Sequence, residues 1–155
     1  MDEKIEQYFE QFKRDTNQPQ AEFDDVEDYW MPEVLVPLIL NGEKTATAMA
    51  YDEFIAENEP LPEVDGKFSV LVDADEEPVA ILRTTKIEVV PFLEVSAEHA
   101  YKEGEGDKSL EYWREVHRTF YKEMAEEFGF SFDDEATFKC VLQEFEVVYQ
   151  GPLRA

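Results

Sequence analysis

The stretch GEKTAT, residues 42–47, lies where a predicted helix ends and a predicted run of strands begins. Upstream of it, Pro32 begins an apolar helix that runs through Leu40, and glycine at position 42 accommodates the left-handed backbone conformation that ends a helix. Downstream, residues 45–49 alternate threonine with small or apolar residues, which predicts a strand. The stretch therefore marks the change from helix to sheet.

Three further segments predict strands: residues 67–72, 79–90 and 138–149 are rich in β-branched and aromatic residues. Residues 73–77, DADEE, predict a hairpin between the first two of these segments. Polar and apolar residues alternate over residues 86–90, which is typical of an antiparallel sheet with one buried face. Because the strands follow one another too closely for helical crossovers, the sequence predicts an α+β fold: a small antiparallel barrel or curled sheet flanked by helices.

Helical periodicity appears in segments on both sides of the strands. In residues 2–14 the apolar residues recur at spacings of three and four, and residues 109–128 repeat this pattern over a longer stretch that glycine at position 129 ends. Ser96 is a predicted N-cap for a short helix through Lys102, and Tyr51 begins another that prolines stop. The sequence therefore predicts a helical flank that includes an N-terminal helix.

The length and composition of the chain favour one cored domain. It has 155 residues, of which 43% are hydrophobic and 14% aromatic, so it holds too much apolar surface for a disordered acidic segment. Residues 15–31 have no clear period and mix acids with aromatics, which indicates a linker. We predict that residues 1–30 form a helix and linker packed on one domain, residues 31–155.

The formal net charge of -24 is spread along the chain rather than concentrated in a tail. Residues 1–33, 34–93 and 94–135 each carry a net charge of -8, and the last 20 residues are neutral. Because nonspecific affinity for nucleic acid comes from lysine and arginine, this balance argues against binding of extended duplexes. A few convergent bases still suffice for a small ligand, since a pocket acts at contact distance.

The chain carries no sequence signal for a membrane or an oxidising compartment. Cys140 is the single cysteine, no apolar run approaches the roughly 20 residues of a membrane span, and the first ten residues, MDEKIEQYFE, do not resemble a signal peptide. We therefore expect a cytoplasmic protein that does not bind membranes.

Motifs for metals and nucleotide phosphates are absent from the sequence. The two histidines, His99 and His117, lie eighteen positions apart and fit no zinc motif, and residues 104–107, GEGD, have the wrong flanks for a phosphate loop. We expect no metal and no cofactor.

Two clusters carry residues suited to chemistry. Lys44 and Thr47 lie at the helix-to-strand junction, where a buried lysine can serve as a base and a hydroxyl as the nucleophile that it activates. On structural grounds alone, a surface lysine and ordinary strand threonines explain the same residues. The two side chains would point to opposite faces of a straight strand but could converge in a turn that enters it.

The second cluster is residues 103–109, EGEGDKS, followed by Arg114 and His117 on the next helix. Its two glycines allow a sharp bend that can aim the carboxylates of Glu103 and Glu105 at a pocket. An N-cap from aspartate or serine explains the end of the cluster but leaves the two glutamates unexplained. For Arg114 and His117 the alternatives are surface ion pairing and a half-buried, hydrogen-bonded histidine.

These motifs resemble a known family. Residues 42–47 are similar to the G-x-K-x-x-T motif of the ASCH domain, whose β-barrel fold is related to the PUA RNA-binding domain. Residues 88–95 and 103–114, together with His117, resemble a bacterial subgroup of such proteins. The resemblance covers about residues 30 to 150 and implies a PUA-like antiparallel β-barrel.

The resemblance also implies a chemistry, because some small ASCH proteins remove the acetyl group from N(4)-acetylcytidine. By similarity, Lys44 is the proton acceptor, Thr47 the nucleophile and Glu103 the proton donor. We further predict that the ligand contacts Arg83, Glu105, Arg114 and His117. Amide hydrolysis needs such a nucleophile, base and acid, but a direct ion pair between Lys44 and Glu103 would hold both in the wrong protonation states.

Three functions are therefore open at this point. The first is a pocket around Lys44 that binds a nucleoside, a nucleotide or an RNA-derived ligand and acts as an amidohydrolase on acylated nucleosides. The second is a noncatalytic module for single-stranded RNA or a ribonuclease of the same fold, and the third is an acidic interaction protein with a vestigial pocket. The acidic charge favours a small nucleoside-like ligand, held by scarce bases such as Lys44, Arg83, Lys86 and Arg114.

Overall fold

The computed structural model describes residues 2–154, which fall into two compact units. The first unit comprises the residues up to Glu43, Val64–Thr85 and the residues from Phe145 on, and the second comprises Lys44–Glu63 and Lys86–Glu144. Residues 2–154 form five α-helices and five strands: α1 (Glu3–Asp15), β1 (Phe23–Glu27), α2 (Pro32–Leu40), β2 (Ala46–Ala50), α3 (Tyr51–Ala56), β3 (Phe68–Val72), β4 (Pro78–Pro91), α4 (Ala97–Glu103), α5 (Leu110–Phe128) and β5 (Lys139–Gln150), with a 3-10 turn at Phe92–Glu94.

In the first unit, β3 lies between β1 and β4. It pairs antiparallel with β4 and parallel with β1. Helix α1 begins at an N-cap, Asp2, whose side chain accepts a hydrogen bond from the Lys4 backbone N–H. Its apolar stripe, with Tyr8 and Phe12 fully buried, packs on the core that contains Phe68 of β3. Burial of these aromatic rings stabilises the N-terminal helix on the sheet.

In the second unit, β5 lies between β4 and β2, and it pairs antiparallel with β2. Helices α4 and α5 both begin at serine N-caps, Ser96 and Ser109, whose hydroxyls accept backbone N–H groups of the first turn. The core is built around the buried rings of Phe92, Trp113 and Tyr121. The side chains that matter for the site are carried by α4, α5 and the segment that enters β2.

The α+β class and the N-terminal helix are confirmed. The sequence also located α2, α5 and strands β2 to β5 to within about two residues of their observed ends. Residues 15–31 were expected to be a linker, but they contain β1, which pairs parallel with β3. Within the described residues, β1 and β2 each pair with a single strand, so this hydrogen bonding forms an open sheet with two end strands.

The predicted boundary at residue 30 stays a prediction, and residues 1 and 155 lie outside the described part of the chain. Among residues 2–154 no helix is both long and apolar enough to cross a membrane.

Candidate functional site

Lys44 is buried, with 1% of its side chain exposed. The backbone N–H of Thr45 donates to the carbonyl oxygen of Lys102 at 2.7 Å, which ties the entry of β2 to the end of α4. The Lys44 Nζ donates to the carbonyl oxygen of Ala46 at 2.8 Å, and it lies 3.5 Å from the carbonyl oxygen of Glu103 and 2.9 Å from Glu105 Oε2. Because these atoms are all acceptors, the environment suits an ammonium group.

Glu103 is equally buried, with 2% of its side chain exposed, and it lies on the last turn of α4. His99 is four residues earlier on the same helix face, and its Nε2 lies 2.7 Å from Glu103 Oε2. The indole Nε1 of Trp113 on α5 donates to the same oxygen at 2.5 Å. Glu103 Oε1 lies 3.7 Å from the Nζ of Lys44, so the carboxylate joins α4, α5 and the entry of β2.

The charged form of Glu103 is favoured despite its burial. Desolvation alone would raise the pKa of this carboxyl, but the hydrogen bond from His99 and the positive charge of Lys44 outweigh it and hold the pKa below its usual value. Glu103 is therefore a carboxylate at neutral pH. This is the protonation state that the Lys44–Glu103 ion pair was expected to impose.

His117 completes the cluster from the next turn of α5. Its ring stacks on the Trp113 indole, with centroids 4.0 Å apart and planes 16° apart. His117 Nδ1 donates a hydrogen bond to the carbonyl oxygen of Trp113 at 2.8 Å, and Nε2 lies 3.7 Å from Glu103 Oε1. The stack orients the second imidazole towards the buried carboxylate.

Glu105 is the partly open side of the site. Its side chain is 29% exposed, whereas the other groups that surround the Lys44 Nζ are buried. The loop that carries it bends through two glycines with positive φ, Gly104 at 71° and Gly106 at 58°. A molecule that approaches Lys44 from solvent at this point must displace the Glu105 carboxylate.

Gly106 also allows a close contact that fixes this loop. A Cβ built on Gly106 would lie 2.3 Å from Tyr112 Cζ, far inside normal contact distance. We expect Gly106→Ala to lower the free energy of unfolding by about 1 to 2 kcal/mol, since both the left-handed backbone and the tyrosine ring oppose it. Urea denaturation followed by circular dichroism measures the change.

Gly66→Ala is the matched control, because Gly66 has a similar φ of 78° but no atom within 4 Å of its added Cβ. If the Tyr112 contact matters, Gly106→Ala costs more than Gly66→Ala, and adding Tyr112→Ala recovers the difference. Equal costs for the two glycine variants would contradict the contact.

Thr47 lies apart from this cluster. The register pairs Ala46 with Glu144 and Thr47 with Gln143 on β5. Ala48, two residues from Ala46, packs on the core beneath α4 and α5, so strand alternation turns the Thr47 side chain to the opposite face of the sheet. Within the described residues, no hydrogen bond joins the Thr47 hydroxyl to Lys44 or Glu103. Lys44 lies before β2, which begins at Ala46, whereas Thr47 lies within the strand.

The two predicted arginines also lie outside the cluster. Arg83 belongs to the first unit, where it forms an ion pair with Glu146 and lies 5.8 Å from the centre of the Phe68 ring. Arg114 on α5 donates from Nη2 to the carbonyl oxygen of Leu93 at 3.1 Å, and its Nε is buried without a partner among residues 2–154. These contacts position Arg114 against the 3-10 turn rather than against Lys44.

A small cleft opens beside the cluster, with a volume of about 80 Å³. Its wall includes His99 and Lys102 of α4 and Leu142 and Glu144 of β5, all in the second unit. In the part of the chain that the structure describes, no three His, Cys, Asp or Glu side chains are grouped so that they could hold a metal ion.

The structure thus brings together four of the residues singled out by sequence: Lys44, Glu103, Glu105 and His117. Sequence reasoning missed the roles of His99 and Trp113 as the donors to Glu103. The i,i+4 spacing of His99 and Glu103 after the Ser96 N-cap was a signal that pointed to the first of these.

Comparison with known proteins identifies the relatives of this chain. A model of the ASCH domain matches residues 21–149. The crystal structure of an ASCH domain from Lactobacillus crispatus is 30% identical, covers 97% of each chain and superposes with a TM-score of 0.83. The crystal structure of protein EF3133 from Enterococcus faecalis is 30% identical, with 100% of this chain and 99% of that chain covered and a TM-score of 0.80. No curated protein matches the chain.

The chain belongs to the ASCH domain family. Its fold is accordingly PUA-like, and the resemblance drawn from residues 42–47 is confirmed at the level of the family.

Proposed function

We propose that this protein binds a small nucleoside-like ligand at the Lys44–Glu103–Glu105 cluster and hydrolyses an N(4)-acylated cytidine there. The observation that carries the proposal is the burial of an ammonium and a carboxylate side by side, at 1% and 2% exposure. Burying such charges costs several kcal/mol per ion before pairing, so a cluster of this kind is a candidate functional site.

Glu105 supports a binding role for the cluster. It contacts the Lys44 Nζ at 2.9 Å and is partly exposed, so its carboxylate holds a position that an acceptor group of a ligand can take. The carbonyl oxygen of an acyl group is such an acceptor. Exchange of one acceptor for another keeps the ammonium hydrogen-bonded while the ligand enters.

The Lys44–Glu103 pair supports a reaction as well, although it rests as an ammonium and a carboxylate. Catalysis needs the reverse, a neutral Lys44 amine and a protonated Glu103. Transfer of one proton from the Lys44 ammonium to Glu103, across 3.7 Å, produces a neutral amine and a carboxylic acid together. Loss of the Glu105 carboxylate from the Lys44 Nζ favours this transfer, because it removes a charge that stabilises the ammonium. After this transfer Lys44 can act as the base and Glu103 as the acid.

The hydrolysis balances with these two groups. A nucleophile O–H adds to the acyl carbon and gives its proton to the Lys44 amine, the C–N bond breaks, and Glu103 protonates the departing amino nitrogen. With water as the other reactant, the products are the carboxylic acid and cytidine. The family resemblance gives the role of the nucleophile to Thr47; the acyl group then passes to the threonine oxygen as an ester, which water hydrolyses in a second step to the carboxylic acid and free Thr47. Direct attack by water is the alternative, since strand alternation turns Thr47 to the other face of the sheet.

Turnover of N(4)-acetylcytidine, followed by chromatography of the cytidine formed, tests the proposal. We expect the wild type to turn over the compound, and we expect Lys44→Ala and Glu103→Gln to lose at least about 100-fold in kcat, the usual contribution of general acid–base groups. Glu126→Gln, at an exposed position on α5, is the matched control and should keep full activity.

Thr47→Val separates the two nucleophiles. A comparable loss in this variant assigns attack to the threonine hydroxyl, whereas unchanged turnover assigns it to water. A folded wild type that forms no cytidine would remove the hydrolase proposal and leave only binding.

A noncatalytic binding module is the second candidate function. It is favoured by the ionised state of Glu103 in the ligand-free chain, since a carboxylate cannot donate a proton. Binding of cytidine without turnover, or of short single-stranded RNA with a steep loss of affinity in added salt, would support this candidate instead.

A further inference from the structure

Trp113 makes three contacts in the site that the proposed reaction does not use. Its indole Nε1, which can only donate, gives a hydrogen bond to Glu103 Oε2 at 2.5 Å. Its ring stacks on His117 with centroids 4.0 Å apart, and its carbonyl oxygen accepts a hydrogen bond from His117 Nδ1 at 2.8 Å. The side chain is only 3% exposed, so Trp113 acts on the site through Glu103 and His117.

The two oxygens of the Glu103 carboxylate have different surroundings. Oε2 accepts hydrogen bonds from Trp113 Nε1 and from His99 Nε2, which donates because an ionised carboxylate only accepts. Oε1 faces the Lys44 Nζ at 3.7 Å, which is beyond hydrogen-bond distance. Two donors therefore hold Oε2, whereas Oε1 faces a source of protons without a hydrogen bond to it.

His117 also leaves Oε1 without a donor. Its Nδ1 donates to the carbonyl oxygen of Trp113, so in the neutral ring Nε2 carries a lone pair and no proton. Nε2 lies 3.7 Å from Oε1, and no donor in the described part of the chain lies within hydrogen-bond distance of this oxygen. A proton on Oε2 would displace a hydrogen bond from Trp113 or His99. Oε1 is therefore the oxygen of Glu103 that can bind a proton without losing a hydrogen bond.

We propose that Trp113 is a positioning residue that makes Oε1 the oxygen through which Glu103 takes up and releases a proton. The proposal rests on the proposed function. In that reaction an N–H bond of the Lys44 ammonium breaks as an O–H bond forms at Oε1, and this O–H bond breaks when the departing amino nitrogen takes the proton. The hydrogen bond from Trp113 prevents rotation of the carboxyl, so the proton stays on the side that faces Lys44.

An isosteric analogue of tryptophan tests this role, because β-(3-benzothienyl)alanine has a sulfur atom in place of the indole N–H. Trp30→Phe, at an exposed position, leaves Trp113 as the single tryptophan, so the analogue can be incorporated at position 113 alone. Relative to Trp30→Phe with tryptophan at 113, we expect kcat for N(4)-acetylcytidine to fall about tenfold, the value of one hydrogen bond to a charged group, and KM to change less than about threefold. An unchanged kcat, or a change in KM alone, would overturn the proposal.

The indole N–H signal of Trp113 tests the same assignment without any turnover. In ¹H–¹⁵N spectra of Trp30→Phe this is the single indole signal, and adding Glu103→Gln should move it upfield, because a neutral oxygen replaces a charged one. Glutamine is the counterpart of an acid protonated on Oε1, so its oxygen should keep the position of Oε2. Lys44→Met with Glu103→Leu removes both charges and the acceptor, and the signal should then move further upfield. Equal shifts in the two proteins would contradict the assignment.

The outcome is separable from that of the proposed function. If N(4)-acetylcytidine is hydrolysed and Lys44→Ala abolishes this, but the analogue at position 113 keeps full kcat, only the role of Trp113 falls. If the indole signal distinguishes the two Glu103 variants and the wild type forms no cytidine, the hydrolysis falls and the difference between the two oxygens of Glu103 stands.

Discussion

Replacing Lys44 with methionine is expected to lower the free energy of unfolding by about 3 to 5 kcal/mol at pH 7. Methionine is similar in length to lysine, so the packing changes little and the main loss is the positive charge. Glu103 then remains as a buried carboxylate, 2% exposed, without its cationic neighbour. Against a typical total of about 5 to 15 kcal/mol, this is a large fraction of the stability. Urea denaturation measures it.

Two further variants make this result specific. Lys122→Met removes a lysine from an exposed position of α5 and should change stability by less than about 0.5 kcal/mol. Adding Glu103→Gln to Lys44→Met removes the uncompensated charge and should restore part of the loss. A Lys44→Met protein as stable as the Lys122→Met control would contradict a buried ion pair.

Replacing Glu103 with glutamine alone is expected to lower the free energy of unfolding by about 2 to 3 kcal/mol at pH 7, the value of hydrogen bonds to a charged group. Glutamine keeps one oxygen to accept from His99 or Trp113, but it loses the negative charge that Lys44 faces and places an amide N–H among donors.

The effect depends on pH in a defined direction. The pKa of Glu103 in the folded protein lies below the ordinary value of 4.5, so the folded state holds fewer protons on this group than the unfolded state. Its contribution to stability is complete above about pH 4.5 and is lost as the pH falls through the folded pKa. Wild type and Glu103→Gln should therefore converge in acid. Parallel curves down to pH 3 would show that the charge of Glu103 does not stabilise the fold.

The elements with a strong local signal were predictable from sequence. Helix α1 has its apolar residues at helical spacing, and α5 has a serine N-cap and a C-terminal glycine, so local interactions define both. Strand β1 was not predictable from sequence, because its residues FDDVE show no alternation of polar and apolar residues. Its stability comes from pairing with β3, over 40 residues later in the chain. Which strands lie at the two ends of the sheet also depends on such long-range pairing.

The site was predictable in its residue types more than in its geometry. The motif around Lys44 and the glutamates after α4 pointed to a charged cluster, and the structure joins them. Side chains along β2 alternate between the two faces of the sheet, and this alternation turns Thr47 away from them. Which residues share a face depends on where the strand begins, and sequence patterns locate that point only to within a few residues. The hydrogen bonds of His99 and Trp113 to Glu103 require the packing of α4 against α5, which local sequence patterns do not predict.

Because Glu105 contacts Lys44, its carboxylate competes with any ligand for the Lys44 ammonium. A carboxylate tethered in the same chain acts at a local concentration that a free ligand rarely reaches. The measured affinity of any molecule at Lys44 is then its intrinsic affinity multiplied by the fraction of time for which Glu105 is away. This factor lowers the affinity of every ligand at Lys44, so an acceptor that contacts only the Lys44 ammonium binds weakly. A molecule that also contacts neighbouring residues has enough intrinsic affinity to bind.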